Sequence, residues 1–214
     1  MSNFLVKNGQ RYVFQGDSIT DCGRGGVNRP FGDGYAKMTI DAITAKYPER
    51  KIDFINVGIS GNTTKDLINR WDDDVIRLQP DWLSIKIGIN DLHRYLDKVP
   101  ATVSPEQFRE NMFTILTETK KKTKANIILI DPFYMSTSKA DNSRERVVLS
   151  LLESYLGTVH EMVNIFKTRH VKTHEAFQKQ LKYRSRNYFC FEPVHPNYAG
   201  HMVIASELLK TLGW

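Results

Sequence analysis

Apolar positions along the chain fall into two alternating rhythms. Short, nearly continuous apolar runs occupy Arg11 to Gln15, Ile52 to Val57, Trp82 to Ile87, Ile127 to Ile130 and, less cleanly, Val171 to Thr173. Runs of that length, rich in β-branched and aromatic residues, predict strands. Between them the spacing changes to the helical period. Tyr35 to Tyr47 carries Met38, Ile40, Ala42 and Ile43 and stops before Pro48, and Thr64 to Leu78 places Leu67, Ile68, Trp71, Val75 and Leu78 on one face. Ser104-Pro105-Glu106-Gln107 is the clearest start signal, combining a cap, a proline at the first helical position and a glutamine suited to a capping box, ahead of the stripe Phe108, Met112, Ile115 and Leu116. A long helix is predicted from Arg144 to about Arg169, and a last one from Tyr198 to Leu212.

Strands alternating with helices that are long enough to serve as crossovers imply a parallel sheet covered on both faces. The expected architecture is α/β, a three-layer α/β/α arrangement around a five-stranded parallel sheet, with the flavodoxin-like order 2-1-3-4-5 as the simplest topology. No repeat, low-complexity tract or linker interrupts the 214 residues, so one domain spanning 1–214 is expected.

Composition changes this picture little. The formal charge is +6, but the basic residues are scattered or lie in helix-like stretches such as Lys120-Lys121-Lys122, which fits solvated faces better than an anionic partner. No nucleic-acid-binding signature accompanies the charge, so no nucleic-acid partner is expected. No run approaches the ~20 apolar residues of a membrane span and the first residues do not resemble a signal peptide, so a cytoplasmic protein is expected from the sequence as written. Two cysteines, Cys22 and Cys190, fit a reducing compartment and exclude a multi-bridge disulfide framework or a cysteine-rich metal site. Gly23, Gly25 and Gly26 follow the first strand without a Lys-Ser/Thr ending or a dinucleotide fingerprint, which removes the usual support for nucleotide binding.

The candidate chemistry lies where strands end. Gly16-Asp17-Ser18-Ile19-Thr20 follows the first strand, Gly58-Ile59-Ser60-Gly61-Asn62 the second and Gly88-Ile89-Asn90-Asp91 the third. In a parallel sheet these turns emerge side by side at the carboxyl edge, the usual ligand edge of such folds. A fourth segment, Glu192-Pro193-Val194-His195-Pro196, sets a carboxylate and an imidazole three residues apart. A serine hydroxyl needs a base to take its proton, and an imidazole oriented by a carboxylate is the usual one, so Ser18, His195 and Glu192 are the candidate triad. The Ser18 and Gly61 backbone amides and the Asn90 side-chain amide are candidate oxyanion donors. Each segment alone reads equally well as a turn or a helix cap, Asp91 as a cap of the following helix included. Asp17 is expected to hold its turn through backbone amides, and His201 to cap or pack, since no ligand cluster accompanies it. Trp71, Trp82, Phe133 and Tyr134 are either core or groove. Trp82, which begins a strand, reads as core, while Phe133 and Tyr134 sit on the catalytic edge. Together with His93, and its neighbours Arg94 and Tyr95, these two are the candidate substrate contacts.

The four segments, in this order, resemble the blocks of the SGNH hydrolase superfamily, the GDSL esterases and lipases. The wording Phe14-Gln15-Gly16-Asp17-Ser18-Ile19-Thr20-Asp21, with Gly32-Asp33-Gly34-Tyr35 and Ile87-Gly88-Ile89-Asn90-Asp91, is similar to bacterial members that act on acetylated carbohydrates or small esters. The resemblance implies a three-layer fold, no metal and no organic cofactor, and acyl-ester hydrolysis through an acyl-enzyme intermediate. Ser18 is then the nucleophile, Gly61 and Asn90 oxyanion-hole donors and His195 the base. The family usually has aspartate where Glu192 stands. A glutamate orienter with a shifted backbone is expected, with a water-mediated contact, a backbone carbonyl or a weakened site as the alternatives. The expected activity is removal of a short acyl group, most simply acetyl, from a carbohydrate or small-molecule ester. A lysophospholipase or thioesterase-type hydrolase, and a non-catalytic binding protein on a decayed hydrolase scaffold, are the rivals. A homo-oligomer is compatible with the long amphipathic fourth helix.

Overall fold

The structure is a computed structural model that describes residues 4–141 and 143–214. Five strands, β1 (Arg11–Gly16), β2 (Asp53–Asn56), β3 (Trp82–Lys86), β4 (Asn126–Ile130) and β5 (Arg169–Val171), make one parallel sheet in the order β2-β1-β3-β4-β5. Central strands β1 and β3 are buried almost throughout, as apolar runs without alternation require, while edge strand β2 is more exposed.

Among the described residues eight α-helices complete the layers: α1 (Ser18–Asp21), α2 (Tyr35–Lys46), α3 (Thr64–Trp71), α4 (Ile89–Leu96), α5 (Pro105–Lys122), α6 (Arg144–Phe166), α7 (Thr173–Gln180) and α8 (Tyr198–Thr211). α2, α8 and α7 pack in succession, as do α3, α5 and α6, with α4 against α5 and α6. The expected capping box closes the start of α5: the Ser104 hydroxyl accepts the Gln107 amide at 3.2 Å and Gln107 accepts the Ser104 amide at 3.0 Å. Thr63 and Asp66 form a second box at α3. Among the described residues no helix is long and apolar enough to cross a membrane.

Three boundaries differ from the expectation. The second helical stretch changes at Asp72–Ile76 into a wider π-turn that keeps Val75 buried. The fourth helix stops at Phe166, because Lys167 adopts a left-handed conformation, φ 51°, and Arg169–Val171 then pairs with β4, so β5 begins two residues earlier than its apolar content suggested. α4 and α7 are only eight residues long, too short to display several turns of period.

The sheet's carboxyl edge is held from below. β1 ends at Gly16, opposite Lys86, and a Cβ at Gly16 would collide with the Lys86 carbonyl and the Thr20 side chain, so only glycine brings the two strand ends together. Lys86, fully buried, sends its ammonium to within 3.3 Å of the fully buried Asp17 carboxylate and lies 5.0 Å over the Phe133 ring. Burial pushes the Lys86 pKa down, and Asp17 opposes that push. Removing one partner strands the other charge in the interior. Lys86→Met is expected to cost about 3–5 kcal/mol of unfolding free energy in urea titrations, and Asp17→Asn/Lys86→Met less than the sum of its single variants. Additive costs would show that the two groups do not compensate each other.

Candidate active site

The turn after β1 is locked by its own residues. Asp17 caps α1, its carboxylate accepting the Ile19 amide at 3.0 Å, as the sequence suggested, and the Lys86 contact fixes the same carboxylate from beneath. Ser18, the next residue, therefore starts α1 with its side chain at the sheet edge and its backbone amide without an intramolecular partner among the described residues. Its Oγ lies 2.9 Å from His195 Nε2, across a sequence separation of 177.

Behind the imidazole stands Glu192. Its carboxylate contacts His195 Nδ1 in a short hydrogen bond and also accepts the His195 amide at 2.8 Å and the Val194 amide at 3.0 Å. A carboxylate can only accept, so Nδ1 carries the proton and Nε2 is left as the acceptor facing Ser18. Partial burial works against ionisation of Glu192, but the Val194 amide, the His195 imidazole and the His195 amide together outweigh it and hold the carboxyl below its ordinary range. The extra methylene of glutamate is absorbed by curling the side chain back onto its own loop.

The second and third turns are tied to the first. Ser60 donates its amide at 3.1 Å and its hydroxyl at 2.6 Å to Asp21, the last residue of α1, and Ile59 donates its amide to the Gly16 carbonyl at 3.1 Å. Gly61 takes φ 80°, its carbonyl accepts Arg94 at 2.7 Å, and its amide has no partner among the described residues. Asn90, in the first turn of α4, donates one side-chain N–H to the Asn62 carbonyl at 3.0 Å, leaving the other for a ligand. Asp91 caps the preceding helix α3 rather than its own, accepting the Thr64 amide at 3.0 Å and the Thr64 hydroxyl at 2.5 Å, and burial pushes its pKa up to about 6. The arrangement brings a polarised hydroxyl, an oriented base and unconsumed N–H groups to one edge, the chemical requirements for acyl transfer.

The model of the GDSL-like Lipase/Acylhydrolase family matches residues 14–203. The chain belongs to that family. It is 36% identical over 217 residues to an acetylxylan esterase of Geobacillus stearothermophilus, covering 98% of this chain and 96% of that one. A crystal structure of the Geobacillus enzyme superposes with a TM-score of 0.87 at 35% identity, covering 98% and 96% of the two chains. An alpha/beta hydrolase enzyme from the metagenome of Lake Arreo, Spain, matches with a TM-score of 0.87 at 31% identity over 97% of each chain. Catalytic mutants of the Geobacillus enzyme replace a serine, an aspartate or a histidine by alanine. This GDSL-family chain is a carboxylic ester hydrolase, and where the Geobacillus enzyme's mutated set contains an aspartate, the carboxylate against His195 is a glutamate.

The walls of the site differ from the expectation. Phe133 is fully buried, packed against Phe177 at 4.5 Å and beneath Lys86, so it does not contact substrate: the residues after β4 turn into the core to cover the buried ammonium. Tyr134 is also buried, edge-on to His93 at 5.8 Å, and neither lines the cavity at Ser18. Trp71 and Trp82 are core, with their indole N–H groups bonded to Thr119 and Gln10 at 3.0 Å. The cavity, of about 310 Å³, opens between Ser18, Ile19, Asp33, Phe191, His195 and Tyr198. Phe191 and Tyr198 are 83% and 68% exposed, aromatic residues flanking the His195 segment that the sequence reading missed, their adjacency to His195 being the signal that could have found them.

Cys22 and His201 close the cavity floor. His201 Nδ1 accepts the Tyr35 amide at 3.2 Å, so Nε2 carries the proton and faces Cys22 Sγ at 3.4 Å. Burial, then Asp33, Asp21 and Asp17, push the Cys22 thiol up to about 12, so it stays protonated and is no nucleophile. Burial pushes His201 down to about 4 from 6.5. Between those values the unfolded chain holds the extra proton, so this group's contribution to stability falls as pH drops from 6.5 towards 4. Asp91, pushed up from 3.8 to about 6, acts with the opposite sign over much of the same window, because there the folded chain holds the proton. His201→Asn, which keeps an acceptor near the Tyr35 amide, isolates the first effect. Between pH 7 and 4.5 the wild type is expected to lose about 2 kcal/mol more in urea-derived stability than the variant. Parallel pH profiles would contradict a neutral, buried His201.

Proposed function

We propose that the chain removes acetyl groups from acetylated xylose-based oligosaccharides, with Ser18 as nucleophile, His195 as general base and then acid, and Glu192 as its orienter. The observation that carries this reading is the 2.9 Å contact between Ser18 Oγ and His195 Nε2, with Glu192 fixing the far side of the ring. In the first step Oγ attacks the acetyl carbonyl while its proton passes to Nε2, and the imidazolium formed is stabilised by the Glu192 carboxylate. The developing oxyanion is received by the Ser18 and Gly61 amides and the free N–H of Asn90. The imidazolium then protonates the departing sugar oxygen, which leaves as a free hydroxyl. Water, deprotonated by the same nitrogen, releases acetate from the acyl-enzyme and restores Ser18.

A cavity of about 310 Å³ lies at the small end of ligand pockets and favours a short acyl group over a long chain. The acetylxylan-esterase relative, at 36% identity over 98% of this chain, supports an acetylated saccharide as the acyl donor. Glu192 keeps the imidazole in the tautomer catalysis needs, which speaks for a working site and against a decayed one.

With acetylated xylo-oligosaccharides and p-nitrophenyl acetate, Ser18→Ala is expected to lower kcat on the order of 10⁴-fold or more. Glu192→Gln is expected to lower kcat by about 10²- to 10⁴-fold with little change in KM. Octanoate esters should be poor substrates for the wild type. Turnover that survives Ser18→Ala, or a preference for octanoate over acetate, would overturn the assignment.

A further inference from the structure

On the β4–β5 side of the sheet, a second cluster of ligating side chains lies outside the Ser18 cavity. Asp131, the residue after β4, is 1% exposed, and its Oδ1 lies 2.6 Å from Nε2 of His170 in β5 and 3.8 Å from Nε2 of His160 in α6. The three ligating atoms lie within 4.8 Å of one another. His170 Nε2 is accounted for by its hydrogen bond to the carboxylate. His160 Nε2 is not: it is shielded from solvent, it has no hydrogen-bond partner among the described residues, and 3.8 Å is too long for one to Asp131. A polar nitrogen directed at a carboxylate, yet beyond hydrogen-bond reach of it, leaves an unmade interaction that needs an explanation.

We propose that Asp131, His160 and His170 hold a divalent transition-metal ion of the zinc class. Metal–ligand bonds of about 2.0–2.2 Å place neighbouring donors of a tetrahedral site roughly 3.3 Å apart, between the two separations seen at Asp131 Oδ1. Opening one contact and closing the other by small side-chain rotations makes room for the ion, and the proton that His170 Nε2 donates to Asp131 moves to Nδ1 as the metal–nitrogen bond forms. Two imidazoles with one carboxylate suit Zn²⁺, Co²⁺ or Ni²⁺, whereas Ca²⁺ and Mg²⁺ favour all-oxygen sets. The fourth position is open to water.

The surrounding backbone is already fixed. The Asp131 amide donates to the Val171 carbonyl at 3.1 Å, and Thr173 donates its hydroxyl to the Asp131 carbonyl at 2.7 Å. An ion here fastens α6 to the ends of β4 and β5. The segment it anchors runs on to Met135, whose amide donates to the Pro193 carbonyl at 2.8 Å beside Glu192. The ion's role is structural, remote from the reacting atoms.

Titration of tag-free, chelator-treated protein with Co²⁺, followed by visible absorption, tests the site, with thermal melting in Zn²⁺ alongside. Saturable d–d bands, a raised Tm in Zn²⁺, and a loss of Co²⁺ affinity of more than about 100-fold in both His160→Gln and His170→Gln are expected, beyond the roughly 10- to 100-fold that outer-shell changes cause. Cys22→Ser and His195→Gln should leave the spectrum unchanged, which separates this site from the cavity floor and the triad. His160 is half-exposed on α6, so its variant keeps the fold. In the unmodified protein, Zn²⁺ should shift the imidazole ¹⁵N resonances of His160 and His170 together. Absence of saturable Co²⁺ binding below millimolar concentration, or binding indifferent to both histidine variants, would overturn the proposal.

Discussion

A single hydrogen bond, Ser18 to His195, sets the demands on the rest of the molecule, because it must join positions separated by 177 residues at 2.9 Å. On one side, a central strand delivers Ser18 to the sheet edge, with Gly16 and the buried Asp17–Lys86 pair fixing how the chain leaves β1. On the other, the segment before α8 closes on itself: Cys190 and Pro196 form a bridge, the Asn197 amide donates to Phe189 at 3.0 Å, and the Phe191 amide donates to His195 at 3.3 Å. Asn197 then caps α8 through the Gly200 amide at 3.1 Å, and α8 packs on α2. Both partners thus sit on backbone held by hydrogen bonds of the neighbouring residues, while the Ser18 amide itself is left unpaired among the described residues.

Glu192 shows why one more methylene need not weaken the line. Its carboxylate receives two backbone amides of its own loop as well as the imidazole, so its position is fixed by three donors rather than by stem length. The same donors favour the charged form despite partial burial, and a charged carboxylate is what an imidazolium formed during acyl transfer requires.

Much of this was legible in the sequence, for identifiable reasons. Unalternated apolar runs marked central strands, the Ser104–Gln107 box marked α5, and the turns after β1, β2 and β3 placed Ser18, Gly61 and Asn90 on one edge. The misses share a different cause: they depend on what a side chain meets across the fold. Lys86 within an apolar strand was a sign of a buried partner, but only the parallel register brings it to Asp17. Phe133 follows a strand towards the catalytic edge, yet covering that ammonium turned it inward. Asp131, His160 and His170 come from a strand end, a helix and an edge strand, with no spacing that announces a common site.

The most direct measurement of the central claim is covalent labelling with a fluorophosphonate, which reacts with a serine only when a neighbouring base has activated it. The expected result is one phosphonyl group per chain, located by peptide mass spectrometry on Ser18, with label and loss of esterase activity rising in step and both slowed in Glu192→Gln. Inactivation that leaves Ser18 unmodified, or labelling of another residue in proportion to lost activity, would contradict an activated Ser18–His195 pair.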